Sequence, residues 1–143
     1  MPYSDLRKGR ISIIGQDYFV TFNTNQRKPY FQNDEAANIL TDIIKRHDAI
    51  QCLAWVIMPD HVHLLFTLKC GTLANTIKLI KGRSSHEIGR SRIPFKWAAS
   101  YYEHALRKEE DRIAIARYIV ANPLRARLVK SLSDYPWWYA IYN

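Results

Sequence analysis

Two imidazoles stand two positions apart in Met58-Pro59-Asp60-His61-Val62-His63-Leu64-Leu65, directly after a Pro-Asp turn signal. If this stretch opens a β-strand, side chains alternate, so His61 and His63 share one face while Val62 enters a core behind them. Such a pair can hold one metal ion, although His-x-His also suits one turn residue plus one hydrogen-bonded sheet residue. A structural zinc would need two more Cys or His ligands. Cys52 lies about 30 Å of extended strand away from His61, and Cys70 differs in parity from both histidines, so neither thiol is well placed.

A second pair of candidates, Tyr118 and Asn122, is spaced four apart, which puts both on the same side of a helix near its C-terminal end. An amide oxygen from Asn122 can serve as a third ligand and Tyr118 as a nucleophile, with the negative end of the helix favouring a cation. Two neutral nitrogens, one amide oxygen and water suit Mg²⁺ or Mn²⁺ about as well as Zn²⁺. Two facts weigh against the simple picture. Asn122 precedes Pro123, which biases it away from helical geometry, and most of the nine tyrosines are expected to be packing residues. Asp60 can orient a histidine through its second ring nitrogen or merely serve the turn. His104 can line the site or pack.

The elements that must carry these residues are legible from periodicity. Residues 11–24 are rich in aromatic and β-branched types and read as strand, broken at Gly15-Gln16-Asp17. Asn33 or Asp34 caps a helix whose apolar positions Ala36, Ala37, Leu40, Ile43 and Ile44 keep a 3.6 period to about His47. Ile50–Met58 and Val62–Leu68 form a buried hairpin around the Pro-Asp turn. Thr72 begins a helix with Leu73, Ile77, Ile80 and Ile88 on one side, and 94–106 reads as a further strand. Glu109-Glu110-Asp111 sets three acids at the start of a helix over 109–122, where the macrodipole favours them. Pro123 ends that helix or begins another segment. The tail Tyr135-Pro136-Trp137-Trp138-Tyr139-Ala140-Ile141-Tyr142 is too aromatic to stay in water. The order β-α-β-β-α-β-α predicts a single α+β domain over 1–143, a ferredoxin-like sandwich with helices packed on one face of an antiparallel sheet.

Composition narrows the partners. The 143 residues are 48% hydrophobic and 24% charged, as expected of a folded chain rather than a disordered one. The longest apolar run, Cys52–Met58, is far below the ~18 residues of a membrane span. Two cysteines make no disulfide framework, and the N-terminal residues do not read as a secretory signal, so a cytoplasmic protein is expected. The five glycines form neither nucleotide-binding fingerprint. Net charge is +8, and residues 75–130, with 13 Lys and Arg against five Asp and Glu, carry all of it. That block is interleaved with Phe95, Trp97, Tyr101, Tyr102 and Tyr118, as a path for single-stranded nucleic acid would be.

Met58-Pro59-Asp60-His61-Val62-His63-Leu64-Leu65 resembles the His-hydrophobe-His motif of single-tyrosine transposases, and Tyr118-Ile119-Val120-Ala121-Asn122-Pro123-Leu124-Arg125-Ala126 resembles the tyrosine helix of their REP-associated branch. Further similarity runs through Tyr18-Phe19-Val20-Thr21-Phe22 with Arg27, Lys81, Trp97 and Tyr135-Pro136-Trp137. Arg127 departs from the branch, which usually has Gly there. The resemblance implies a nuclease domain of ferredoxin-like fold, with His61, His63 and Asn122 as ligands of Mg²⁺ or Mn²⁺ and Tyr118 as nucleophile. The implied reaction cleaves hairpin or REP-like single-stranded DNA through a 5′-phosphotyrosine. Lys81, Arg83, Arg107 and Arg125 are the candidate phosphate contacts, and monomer and homodimer both fit. The rival readings are a non-catalytic single-strand-binding module and a small metal-dependent hydrolase that uses water.

Overall fold

The computed structural model describes residues 12–108 and 110–142. Five strands form one sheet: β1 (Asp17–Thr24), β2 (Ile50–Met58), β3 (His61–Leu68), β4 (Trp97–Ala105) and β5 (Trp138–Ala140). Their spatial order is β4-β1-β3-β2-β5, with every neighbouring pair antiparallel. Helices α1 (Asp34–Lys45) and α2 (Leu73–Arg90) follow β1 and β3, giving the ferredoxin-like βαββαβ order. After β4 come α3 (Arg112–Val120) and the short α4 (Asn122–Arg125).

Each helix starts where its capping chemistry directs. Asn33 accepts the Ala36 N–H at the head of α1, and Thr72 accepts the Asn75 N–H at the head of α2. Both helices press apolar stripes, Ala36, Ala37, Leu40 and Ile44 with Ile77, Ile80 and Ile88, onto Val20, Phe22, Trp55, Ile57, Val62, Leu64 and Phe66. Within this layer the Trp97 indole N–H donates to the buried Ser84 hydroxyl at 2.9 Å, tying α2 to β4.

The α+β class holds, but the expectation that the helices pack on one face holds for α1 and α2 only. Ala116, Ile119 and Val120 of α3 cover Leu53, Ala54, Val56, Met58 and Leu65 on the opposite face. The reason is the unbroken apolar run of β2. A bulge between Cys52 and Ala54 shifts its register, after which Trp55 and Ile57 face one core and Val56 and Met58 the other. A strand apolar on both sides must be covered on both.

Two element starts differ most from the sequence reading. The first strand begins at Asp17 because Gly15, at φ 88°, makes a turn before it; Ile11 lies outside the described residues. The proposed helix over 109–122 begins at Arg112. Asp111 caps it by accepting the Ile113 and Ala114 N–H groups, whereas Glu110 turns back to His104 and Arg107. Glu109 is also outside the described residues. The aromatic tail packs as expected: the Tyr135 hydroxyl donates to the Ile57 carbonyl, Trp137 accepts the Ile57 N–H, and β5 pairs with β2. Among the described residues, no helix is long and apolar enough to cross a membrane.

Candidate active site

The β2–β3 turn at Pro59-Asp60 delivers His61 and His63 to the face covered by α3, with Val62 fully buried behind them. Register pairs His63 with Thr21 and His61 with Asn23 on β1. The imidazole centroids are 4.8 Å apart, nearly perpendicular. Each ring is tied off at Nδ1. With the proton on that nitrogen, His61 donates to Asp60 at 2.7 Å and His63 to the Thr21 hydroxyl at 2.8 Å, which puts the lone pair of each ring on Nε2, that of His61 facing the Asn122 amide.

Behind Asp60 stands Arg27, whose Nε donates to the second carboxylate oxygen at 3.0 Å. Burial pushes the Asp60 carboxyl up, but the bonds from His61 and Arg27 outweigh it and hold the group below its ordinary value. Arg27 reaches this position from a loop in which Gln26 and Arg27 both adopt left-handed backbone, φ 56° and 53°. That costs about 1 kcal/mol or more per residue. The Thr24 hydroxyl braces the loop at the Lys28 and Asp60 carbonyls.

The other half of the site comes from the break between α3 and α4. Ala121 ends α3, and Asn122 and Pro123 begin α4, so the proline's missing N–H falls where a helix needs none. The caution raised by Pro123 is thereby resolved, and the Asn122 amide reaches His61, with Nδ2 at 3.3 Å from Nε2. One helical turn earlier, the Tyr118 ring is 57% exposed. Arg125 stacks on it, guanidinium carbon 3.9 Å from the ring centroid, and donates to the Tyr118 carbonyl at 2.7 Å. Burial first, then the charges of His61, Arg125 and Arg27, push the His63 imidazole down to about 4. His63 is therefore neutral at physiological pH, the state a metal ligand requires.

Two imidazole nitrogens and one amide oxygen would suit Mg²⁺ or Mn²⁺ about as well as Zn²⁺. No group of three or more His, Cys, Asp or Glu able to hold a metal occurs among the described residues, and the further polar group that reaches His61 is the Asn122 amide. Turning the Asn122 amide over places Oδ1 beside His61 Nε2. Donors ~3 Å apart are what adjacent positions of one octahedral ion need.

The remaining sequence candidates divide. Arg125 belongs to the site. Lys81 does not: on α2, across the sheet, its ammonium donates to the Ala98 carbonyl at 2.8 Å, and burial lowers its pKa. Arg83 lines a groove of about 750 Å³ between α1 and α2, also on the far side. Arg107 sits at the opposite end of α3 from Tyr118, beside Glu110. His104 faces the same side of the sheet as His63, through the register at Phe19, but is engaged by Glu110 at 2.9 Å. Cys52 lies against α1 and Cys70 is exposed, both away from the histidines. Thr21 was missed as a site residue, because its role depends on strand register that no local pattern reveals.

A family model described as "Transposase IS200 like" matches residues 13–122, a span that includes both histidines, Tyr118 and Asn122. The chain belongs to the IS200-like transposase family. The "REP-associated tyrosine transposase" of Escherichia coli K12 is 30% identical over 132 residues, covering 90% of this chain and 78% of that protein. A solved REP-associated tyrosine transposase bound to a REP hairpin superposes with TM-score 0.73 at 28% identity, covering 90% of this chain and 79% of that one. The resemblance drawn from the two motifs to the REP-associated branch therefore stands. By family this transposase is a DNA-binding enzyme of the class that cuts and joins strands.

Proposed function

We propose that this transposase is a metal-dependent single-stranded DNA endonuclease and strand transferase acting through a 5′-phosphotyrosine on Tyr118. The observation that carries this reading is the meeting of Asn122 with His61 within one chain, one helical turn from Tyr118. Residues that would hold Mg²⁺ or Mn²⁺ are His61, His63 and Asn122. When bound, such an ion polarises a phosphate oxygen and withdraws charge developing there. Tyr118 supplies the attacking oxygen: its bond to phosphorus forms as the bond from phosphorus to the 3′ oxygen breaks. The tyrosine proton passes to solvent, and the 3′ oxygen leaves protonated as a free 3′-OH, which can later reverse the exchange and join strands. Arg125, stacked on the ring, fixes the nucleophile and adds positive charge beside the phosphate.

Hairpin or REP-like repeats are the proposed substrate. The hairpin bound by the 28%-identical relative and the description of the Escherichia coli relative support that choice. With DNA of this kind as substrate, the enzyme is proposed to act in the cytoplasm. Because Asn122 and His61 meet in cis, one chain can assemble the site.

The test is incubation of a labelled single-stranded hairpin carrying the repeat with Mg²⁺ or Mn²⁺. A denaturation-resistant protein–DNA adduct is expected, absent in Tyr118→Phe while DNA affinity stays within about twofold. Cleavage that survives Tyr118→Phe would make water the nucleophile. Tight binding without any adduct would make the protein a recognition module.

A further inference from the structure

On the face that carries the histidines, α3 packs over β2 and part of β3; of the β1–β4 half, only Phe19 on β1 and Leu106 just after β4 join that cluster among the described residues. Register places a row of side chains across that half. Thr21, whose hydroxyl holds His63, pairs with His63 on one side and with Tyr102 on the other. Tyr102 is thus two strand spacings, about 10 Å, from the His63 backbone.

Among the described residues nothing buries Tyr102, which is 56% exposed on this face of β4. Its ring is nonetheless propped in place. Phe19 meets it edge-to-face, centroids 6.1 Å apart at 76°, and the same Phe19 leans against His63 at 5.5 Å. His63, Phe19 and Tyr102 make a continuous aromatic line from the proposed phosphate site to an open ring face. Arg27 and Arg125 supply positive charge at the histidine end of that line. An exposed, braced aromatic beside a cationic phosphate site is the arrangement that stacks bases of a single strand.

We propose that Tyr102 is the stacking platform for the base immediately flanking the phosphate held at His61 and His63. A nucleotide anchored by its phosphate there can lay its base across Thr21 onto the Tyr102 ring, with Phe19 preventing the ring from yielding. This inference rests on the reading of the His pair as the phosphate site. It adds a DNA-binding residue on β4, an element outside the two motifs. Stacking accepts any base, so Tyr102 contributes affinity and register rather than base identity.

The experiment places the fluorescent base 2-aminopurine at each position flanking the cleaved phosphate of a single-stranded hairpin, and titrates it with wild type, Tyr102→Phe, Tyr102→Leu and Tyr102→Ala. Wild type and Tyr102→Phe are expected to quench one flanking position strongly. Tyr102→Leu and Tyr102→Ala should lose that quench and bind about 5- to 150-fold more weakly, the range for removal of one stacking aromatic. Quenching and affinity unchanged in both Leu and Ala variants would overturn the proposal. Should the Ala variant lose its fold by circular dichroism, the Leu variant, which keeps an apolar strand residue, decides alone. Adduct formation by Tyr118 is scored separately. An adduct with no Tyr102-dependent quench refutes the platform and leaves the proposed reaction standing. A Tyr102-dependent quench with no adduct under any divalent metal does the reverse.

Discussion

Removing the Asp60 carboxylate should weaken divalent metal binding by about 10- to 100-fold without unfolding the turn that carries it. The side chain and the backbone of Asp60 have separate tasks. Its carbonyl accepts the Thr24 N–H and hydroxyl, each at 3.0 Å, and the Pro59 carbonyl accepts the Phe31 N–H at 3.0 Å. Asp60→Ala leaves these intact and deletes only the bonds to His61 and Arg27. Arg27 is 56% exposed, so water solvates it and no buried charge is orphaned.

The lost quantity is a charge-assisted hydrogen bond to the imidazole, ~1.5–3 kcal/mol. Only the part that strengthens when His61 gives up its Nε2 lone pair reaches metal affinity, which agrees with the ~10- to 100-fold range for partners behind a metal ligand. Asp60→Asn keeps an acceptor for the Nδ1–H without the charge and should fall between wild type and Ala. Calorimetric titration with Mn²⁺ near neutral pH measures all three, with His61→Ala as the blank. If Asp60→Ala binds Mn²⁺ within about twofold of wild type while His61→Ala does not bind, the relay from Arg27 through Asp60 to His61 has no role in metal binding.

Mixing His61→Ala with Tyr118→Phe should restore no covalent adduct, because Asn122 and His61 meet within one chain; recovery of a substantial fraction of wild-type adduct would assign the tyrosine to a second chain. Ser84→Ala should lower stability by about 1–3 kcal/mol, measured by urea unfolding, since it strands the buried Trp97 indole N–H; a change under about 0.5 kcal/mol would show that the indole finds another acceptor. In metal-free protein, His63 and His47 both sit below their ordinary value in the fold, His63 at about 4 through burial and neighbouring charge, His47 through burial and Arg83. Their contribution to stability is complete above pH ~6.5 and is lost as pH falls below it, His63's share fading as pH approaches 4. The displacement of His63 caps its own share at ~3 kcal/mol, less after solvent screening. Unfolding curves for wild type and His63→Asn that stay parallel between pH 7 and 4 would refute this.

Periodicity and turn chemistry in the sequence determined the hairpin, the two long helices, the shared face of His61 and His63, and the helical spacing of Tyr118 and Asn122. These are local properties, set by alternation at two residues and repetition at 3.6, and they need no knowledge of what lies across the sheet. Asp60 was legible as a partner of His61 for the same reason, being its neighbour in the chain. What tertiary structure alone decided was which face each element joined. The basic block of residues 75–130 looks like one patch in sequence, yet the sheet divides it: Lys78, Lys81, Arg83 and Arg90 go with α2 to the far side, while Arg125 returns to Tyr118. A charge count along the chain cannot see a sheet standing between two helices. Nor could it find Thr21 against His63, Arg27 behind Asp60 or Tyr102 beside Phe19, because strand register and a left-handed loop bring together residues separated by tens of positions. Sequence spacing named the groups that could do chemistry; the pairing of β1 with β3 and β4 determined which of them share a site.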